Sequence, residues 1–188
     1  RRAVERSGSV KALGRALPAL ELSQIATWLD AGHGAPVTRA ATVLEAVLME
    51  APRADVPAFV LADAALAQAL SWDHVVPLMA PGLKRADLRK RGDDLRLACH
   101  RAFVSSSVEV VRLAADLARR ATHLKAVAPK LRAKSAEAAV AMFLTQDAVA
   151  PAALPLPDRS ARRLCDRLVE LGAVRELTGR DTFRLYGV

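Results

Sequence analysis

Apolar residues recur along most of this chain with helical spacing, and the pattern becomes alternating only near its end. Within residues 158–171 the apolar positions that share one helical face are Ala161, Leu164, Leu168 and Leu171. Gly172 follows them, where a glycine typically ends a helix. Two short alternating runs, 174–177 and 182–186, flank the turn Thr178-Gly179-Arg180-Asp181 and predict a β-hairpin.

Two further helices are predicted immediately before this segment. Ser135 is placed to cap the first, which continues to Thr145, and residues 147–154 form a short second helix. Asp158 is placed to cap the third helix. Three helices followed by a two-stranded wing predict a winged helix-turn-helix.

The first part of the chain reads as helices joined by short loops. Helical spacing covers residues 13–29, interrupted by Pro18, and continues over 37–50. An alanine-rich helix starts at Asp55. A short helix is then predicted from Ser71 through Met79, with Trp72 filling the core.

A long apolar stripe runs from Leu95 to Leu124 and is interrupted by three serines. Ser106 and Glu109 have the spacing of a capping box, so a new helix can start there. The stripe stays nearly in phase across the serines, so one long bent helix fits equally well. The fold class is therefore mainly α: a multi-helix bundle with a C-terminal winged helix-turn-helix. Its predicted regions are 1–81, 82–134 and 135–188.

Composition and charge narrow the choice of partner. The chain is 52% hydrophobic and 4% aromatic, which favours closely packed helices. Its net charge is +8, and residues 82–134 hold fourteen basic and five acidic side chains, an excess of +9. Such a block favours an anionic partner, nucleic acid first, although a solvated helical face has the same composition.

In helix-turn-helix docking the third helix enters the major groove and the wing contacts the backbone or the minor groove. The predicted nucleic-acid-binding residues are Arg159, Ser160, Arg162, Arg163, Arg167, Arg175, Arg180 and Arg184. A secondary basic surface comprises Lys84, Arg85, Arg89, Lys90, Arg91, Arg119, Arg120, Lys125, Lys130, Arg132 and Lys134. We expect duplex DNA rather than single strands, because stacking aromatics are nearly absent. The alternative is protein docking, in which Asp166, Glu170 and Glu176 neutralise the arginines.

Other functions have little support in the sequence. The four histidines lack ligand spacing, so no metal or cofactor is expected. No catalytic motif occurs, so we expect no enzymatic activity.

Cys165 is predicted to be a core residue. No apolar run approaches the roughly 20 residues that span a bilayer. A cytoplasmic location without membrane contact is expected, and a homodimer is compatible with the alanine-rich helices.

Two resemblances add to this interpretation. Residues 158–186 are similar to the winged helices of bacterial transcriptional regulators and of some Fic proteins, where an arginine-rich helix ending LxxLG precedes a wing reading GR…R.Y. Residues from Trp28 to Val188 resemble a bacterial family, domain of unknown function 1403, through LADAALAQALSWDH (61–74), APGLKRADLRKRGDDLRLACHRA (80–102), VRLAADLARRA (111–121), AVAPKLRAK (126–134) and the C-terminal segment. The family implies no activity. Its members are longer at the N-terminus, so we expect a piece of a longer protein. The combined hypothesis is a DNA-binding protein for transcriptional or mobile-element regulation.

Overall fold

The chain is mainly α-helical in a computed structural model that describes residues 8–131, 136–180 and 182–188. Within these ranges lie eight α-helices and one two-stranded sheet. The helices are α1 (Val10–Ala16), α2 (Leu22–Asp30), α3 (Pro36–Glu50), α4 (Asp55–Ala69), α5 (Met79–Gly82), α6 (Gly92–Val127), α7 (Ala136–Thr145) and α8 (Asp158–Glu170). The strands are β1 (Arg175–Glu176) and β2 (Tyr186–Gly187). The predicted fold class is confirmed at this level.

Two compact units make up the chain, the first ending at Val110 and the second beginning at Val111. Helices α3 and α4 lie at the centre of the first unit. Pro36 starts α3, a position where its missing N–H costs nothing. Most of α4 is buried, and its many alanines let neighbouring helices approach closely. The predicted limits of α3 and the predicted start of α4 are confirmed to within one residue.

The helical pattern over 13–29 is divided into two helices, as Pro18 suggested. Helix α1 is capped by Ser9, whose Oγ accepts a hydrogen bond from the N–H of Ala12 at 3.2 Å. Helix α2 places Ile25 and Trp28 in the core of the first unit. Residues 1–7 lie outside the described residues.

The predicted helix from Ser71 through Met79 is wrong. Residues 71–78 form a turn, a bend and a segment without regular structure, and only Met79–Gly82 is helical. Ser71 has φ 57°, which ends α4. Trp72 is 37% exposed, so it does not fill the core. That role belongs to Trp28, which is buried and whose Nε1 donates to Glu50 Oε2 at 2.7 Å.

The three serines do not interrupt the central helix. Helix α6 is continuous over 36 residues, so of the two alternatives the single long helix is confirmed and a restart at Ser106 is excluded. The apolar spacing stayed in phase, and a helix that keeps one buried face has no reason to end there. Farther along α6 part of the predicted apolar stripe is uncovered, since Leu113 and Leu117 are exposed, whereas Leu124 at its end is buried.

Ser106 is buried, and its Oγ has no hydrogen-bond partner among the residues that the structure describes. A buried hydroxyl without a partner has lost its water without compensation. We therefore expect Ser106→Ala to raise the free energy of unfolding by about 0.5–2 kcal/mol in urea denaturation. Ser105→Ala is the control, because Ser105 is exposed and bonds only to Ala102 O, and it should change little. A loss of stability in Ser106→Ala would contradict the assignment.

The second unit has the last turns of α6, then α7, α8 and the β1–β2 hairpin around one core. The buried side chains of this core include Leu124, Phe143, Val149, Leu164, Leu168 and Tyr186. Strands β1 and β2 are antiparallel, with Arg175 opposite Gly187 and Glu176 opposite Tyr186. Val149 forms an additional antiparallel bridge with Tyr186. The hairpin is thereby joined to the segment that follows α7.

Two local predictions in this unit need correction. The second helix, expected over 147–154, is a single 3-10 turn, Pro151–Ala153. Its length is limited by Pro151 at its start and by the extended Val149 bridge before it. Asp158 is the first helical residue of α8 and not its cap, a position that Pro157 occupies. The predicted cap Ser135 lies outside the described residues.

Candidate nucleic-acid interface

The arginine-rich face of α8 follows from the spacing of its apolar residues. The helix buries Ala161, Leu164, Cys165 and Leu168. Because these four side chains occupy one side, the arginines between them are held on the other. Gly172, with φ 64°, ends the helix and turns the chain toward β1. All eight predicted nucleic-acid-binding residues are exposed: Arg159, Ser160, Arg162, Arg163, Arg167, Arg175, Arg180 and Arg184.

Three of these arginines have carboxylate partners. The pairs are Arg162 with Asp158 at 3.2 Å, Arg167 with Glu170 at 2.9 Å, and Arg184 with Glu176 at 3.9 Å. Such exposed pairs contribute little to stability, because water and salt screen them. They nevertheless reduce the positive field on this side of the unit. We call these three residues the paired arginines.

The other four arginines carry their charge without a carboxylate partner in the described ranges: Arg159, Arg163, Arg175 and Arg180. Arg159 and Arg163 lie one helical turn apart, near the centre of the exposed face of α8. Arg175 lies on β1, and Arg180 lies in the turn of the hairpin. Asp181, the last residue of the predicted turn, lies outside the described residues. We call these four residues the free arginines.

A groove of 610 Å³ lies between α8 and the hairpin. Asp158, Arg162 and Asp166 line it from the helix, while Phe183 and Arg184 line it from the hairpin. A side-chain hydrogen bond to Tyr186 raises the pKa of Arg184, and Glu176 adds to this effect. These two contacts hold the Arg184 side chain against its own hairpin.

Phe183 was missed by sequence reasoning. Its side chain is 90% exposed, and its backbone has the positive φ of 56°. The signal was present, because an aromatic residue directly after a turn, in a hairpin this short, has no partner strand to cover it. In the sequence, Phe183 is one position of the alternating run 182–186 that predicts a strand.

The secondary basic surface is divided between the two units. In the first unit Lys84, Arg85, Arg89, Lys90 and Arg91 surround a 3-10 turn, Asp87–Arg89. Lys90 pairs with Asp87 and holds the pKa of that carboxyl below its usual range. Arg91 donates to two backbone carbonyls, those of Leu88 and Lys90. Lys90 and Arg91 therefore interact with neighbouring groups of the same turn, which leaves less of this positive charge for a partner.

In the second unit Arg119 and Arg120 both pair with Asp116, at 3.0 and 2.8 Å. Lys125 and Lys130 are exposed. Arg132 and Lys134 lie outside the described residues. One carboxylate between two guanidinium groups leaves a net positive charge there.

The cysteines and histidines do not form a reactive or metal-binding cluster in the part of the chain that the structure describes. Burial raises the pKa of Cys99 to about 12 and that of Cys165 to about 11. Both thiols are therefore protonated near neutral pH and poor nucleophiles. This agrees with the predicted core role of Cys165.

These features define the class: a mainly α-helical protein of two compact units, the second with an arginine-rich exposed face. None of its described helices is both long and apolar enough to cross a membrane. A family model described as "Protein of unknown function (DUF1403)" matches residues 4–188, and the chain belongs to this family. The family resemblance seen in the sequence is thereby confirmed. Comparison with curated proteins and with solved structures gives no match.

Proposed function

We propose that the second unit is a winged helix that binds duplex DNA, with α8 in the major groove and the hairpin on the adjacent backbone. The observation that carries the proposal is the set of free arginines. Arg159 and Arg163 project from the middle of the exposed face of α8, while Arg175 and Arg180 extend the positive charge along the hairpin. Among the described residues, no carboxylate must be displaced before these guanidinium groups contact phosphate or guanine.

The element order of the second unit supports this role. Helix α7, a short helical turn, helix α8 and a β-hairpin follow one another, which is the order expected for a winged helix-turn-helix. The bridge from Val149 to Tyr186 ties the hairpin to the segment before the turn. A hairpin held this way keeps a constant position beside α8, so both can contact one duplex.

The proposal predicts a difference between two triple variants. Arg159→Ala/Arg163→Ala/Arg180→Ala removes three free arginines, and Arg162→Ala/Arg167→Ala/Arg184→Ala removes the three paired arginines. Both change the net charge by the same amount. We expect the first variant to reduce the slope of log affinity against log salt by about 3 and to weaken binding more than tenfold at low salt. The second should have a clearly smaller effect.

Fluorescence anisotropy with a mixed-sequence duplex, from about 50 to about 200 mM salt, measures both quantities. Equal losses in the two variants would mean that only net charge matters, and that α8 does not make defined contacts. Salt-sensitive binding indifferent to both variants would place the contacts on the secondary basic surface. The absence of binding by the wild-type protein at low salt would refute the proposal.

A helical adaptor that binds a protein through the same surface is the second candidate. The three ion pairs favour it, since they lower the positive field that DNA binding uses. Regulation of transcription or of a mobile element, the cytoplasmic location and a homodimer remain predictions. Of the alanine-rich surfaces, that of α4 is largely buried within its own unit.

A further inference from the structure

Phe183 occupies a position where neither packing nor backbone geometry favours an aromatic residue. At 90% exposure it is the most exposed large apolar side chain in the described residues. Its φ of 56° lies in the left-handed region, which glycine or asparagine adopts more readily. In the unbound protein this ring contributes almost no buried apolar surface and therefore almost no stability. An exposed aromatic residue with a strained backbone points to a contact with a partner.

Two arginines share the hairpin with Phe183, whose ring lines the groove that Asp158, Arg162 and Asp166 also line. Arg184 follows Phe183 directly in the sequence, and its guanidinium is charged near neutral pH as in any arginine. Arg180 is exposed in the same hairpin turn. An exposed apolar ring on a hairpin that also carries two exposed arginines suits a partner with stacked apolar layers between lines of phosphate, which describes a base step in duplex DNA.

We propose that Phe183 inserts between two base pairs from the minor groove and bends the duplex while α8 occupies the neighbouring major groove. This inference rests on the proposed DNA-binding function and adds to it a residue that selects the sequence. Flexible pyrimidine–purine steps open most readily, so the preferred site contains a TA or CA step beneath the hairpin. Arg180 then contacts a phosphate beside the opened step.

The test uses duplexes of about 25 bp labelled at both ends, one set with a central TA step and one with a stiff A-tract at that place. Energy transfer between the labels should report a bend of about 20–90° with the wild-type protein on the TA duplex. Phe183→Ala should abolish the bend and weaken TA-duplex binding by about tenfold or more, with little change on the A-tract. Phe183→Leu, which keeps an apolar wedge, should retain most of the bend.

Leu177→Ala is the matched control, because Leu177 is 43% exposed on the same hairpin but does not line the groove beside α8. Since Phe183 is almost fully exposed, its truncation should leave the melting temperature unchanged, and a change in bending cannot be attributed to unfolding. Binding that depends on the free arginines, with the same bend in Phe183→Ala, would overturn the proposed insertion of Phe183 and leave the DNA-binding proposal intact. No duplex binding by the wild-type protein at low salt would overturn both.

Discussion

Asp63→Ala is expected to be less stable than Asp63→Asn by about 2 to 6 kcal/mol, roughly 1–3 for each backbone N–H left without an acceptor. Asp63 is buried on α4, and its Oδ1 accepts hydrogen bonds from the N–H groups of Leu78 and Met79 at 3.1 and 3.0 Å. This single oxygen therefore holds the start of α5 against α4. The amide oxygen of asparagine can accept both bonds, whereas alanine accepts neither.

The same carboxylate makes stability depend on pH. Burial raises the pKa of Asp63 to about 6, although the two N–H donors act in the opposite direction. The folded state therefore binds a proton more tightly than the unfolded state, whose carboxyl titrates near 3.8. Between these values stability falls as pH rises, by about 3 kcal/mol for a shift of about two units. Above about pH 6 this contribution is constant.

Urea denaturation of wild type, Asp63→Asn and Asp63→Ala between about pH 4 and about pH 7 measures both effects. The difference between wild type and Asp63→Asn should grow in favour of asparagine as pH rises through this window, because asparagine carries no buried charge. The difference between asparagine and alanine should not depend on pH. A wild type that gains stability relative to Asp63→Asn over this range would show that the carboxylate is stabilised in the fold.

Gly82→Ala is expected to cost about 2–3 kcal/mol, or to prevent folding, because α5 touches the backbone of α6 at this residue. A Cβ on Gly82 would lie 2.5 Å from Ala102 Cα and 2.7 Å from Ala102 O. Backbone atoms in the middle of a long helix cannot move aside as a flexible side chain can. Thermal or urea unfolding monitored by circular dichroism gives the loss directly.

Gly8→Ala is the matched control, because a Cβ there meets its nearest neighbours at 3.7 Å or more, ordinary contact distances. It should change stability by less than about 1 kcal/mol. Adding Ala102→Gly to Gly82→Ala should not restore stability, because the Cα and carbonyl oxygen of residue 102 remain in place. Restoration by that second change would show that the clash involves only the Ala102 methyl group.

The helical parts of the chain were largely predictable because local spacing defines them. The limits of α3, the start of α4, the division at Pro18 and the end of α8 at Gly172 follow from apolar periodicity, proline and glycine, all of which act within a few residues. The exposure of the arginines on α8 followed from the same periodicity. Which of them have carboxylate partners required the structure, since both partners lie on one surface and several pairings are sterically open.

By itself the sequence determined the mainly α class, the amphipathic α8 and the family, because each depends on local order or on overall similarity. Only the tertiary structure decided which tryptophan is buried, that Ser106 lies inside a continuous helix, and that Asp63 holds α5 in place. It also decided that Phe183 has no cover of its own. These features depend on contacts with residues that are distant in the sequence. The local pattern of apolar and polar residues does not specify such contacts.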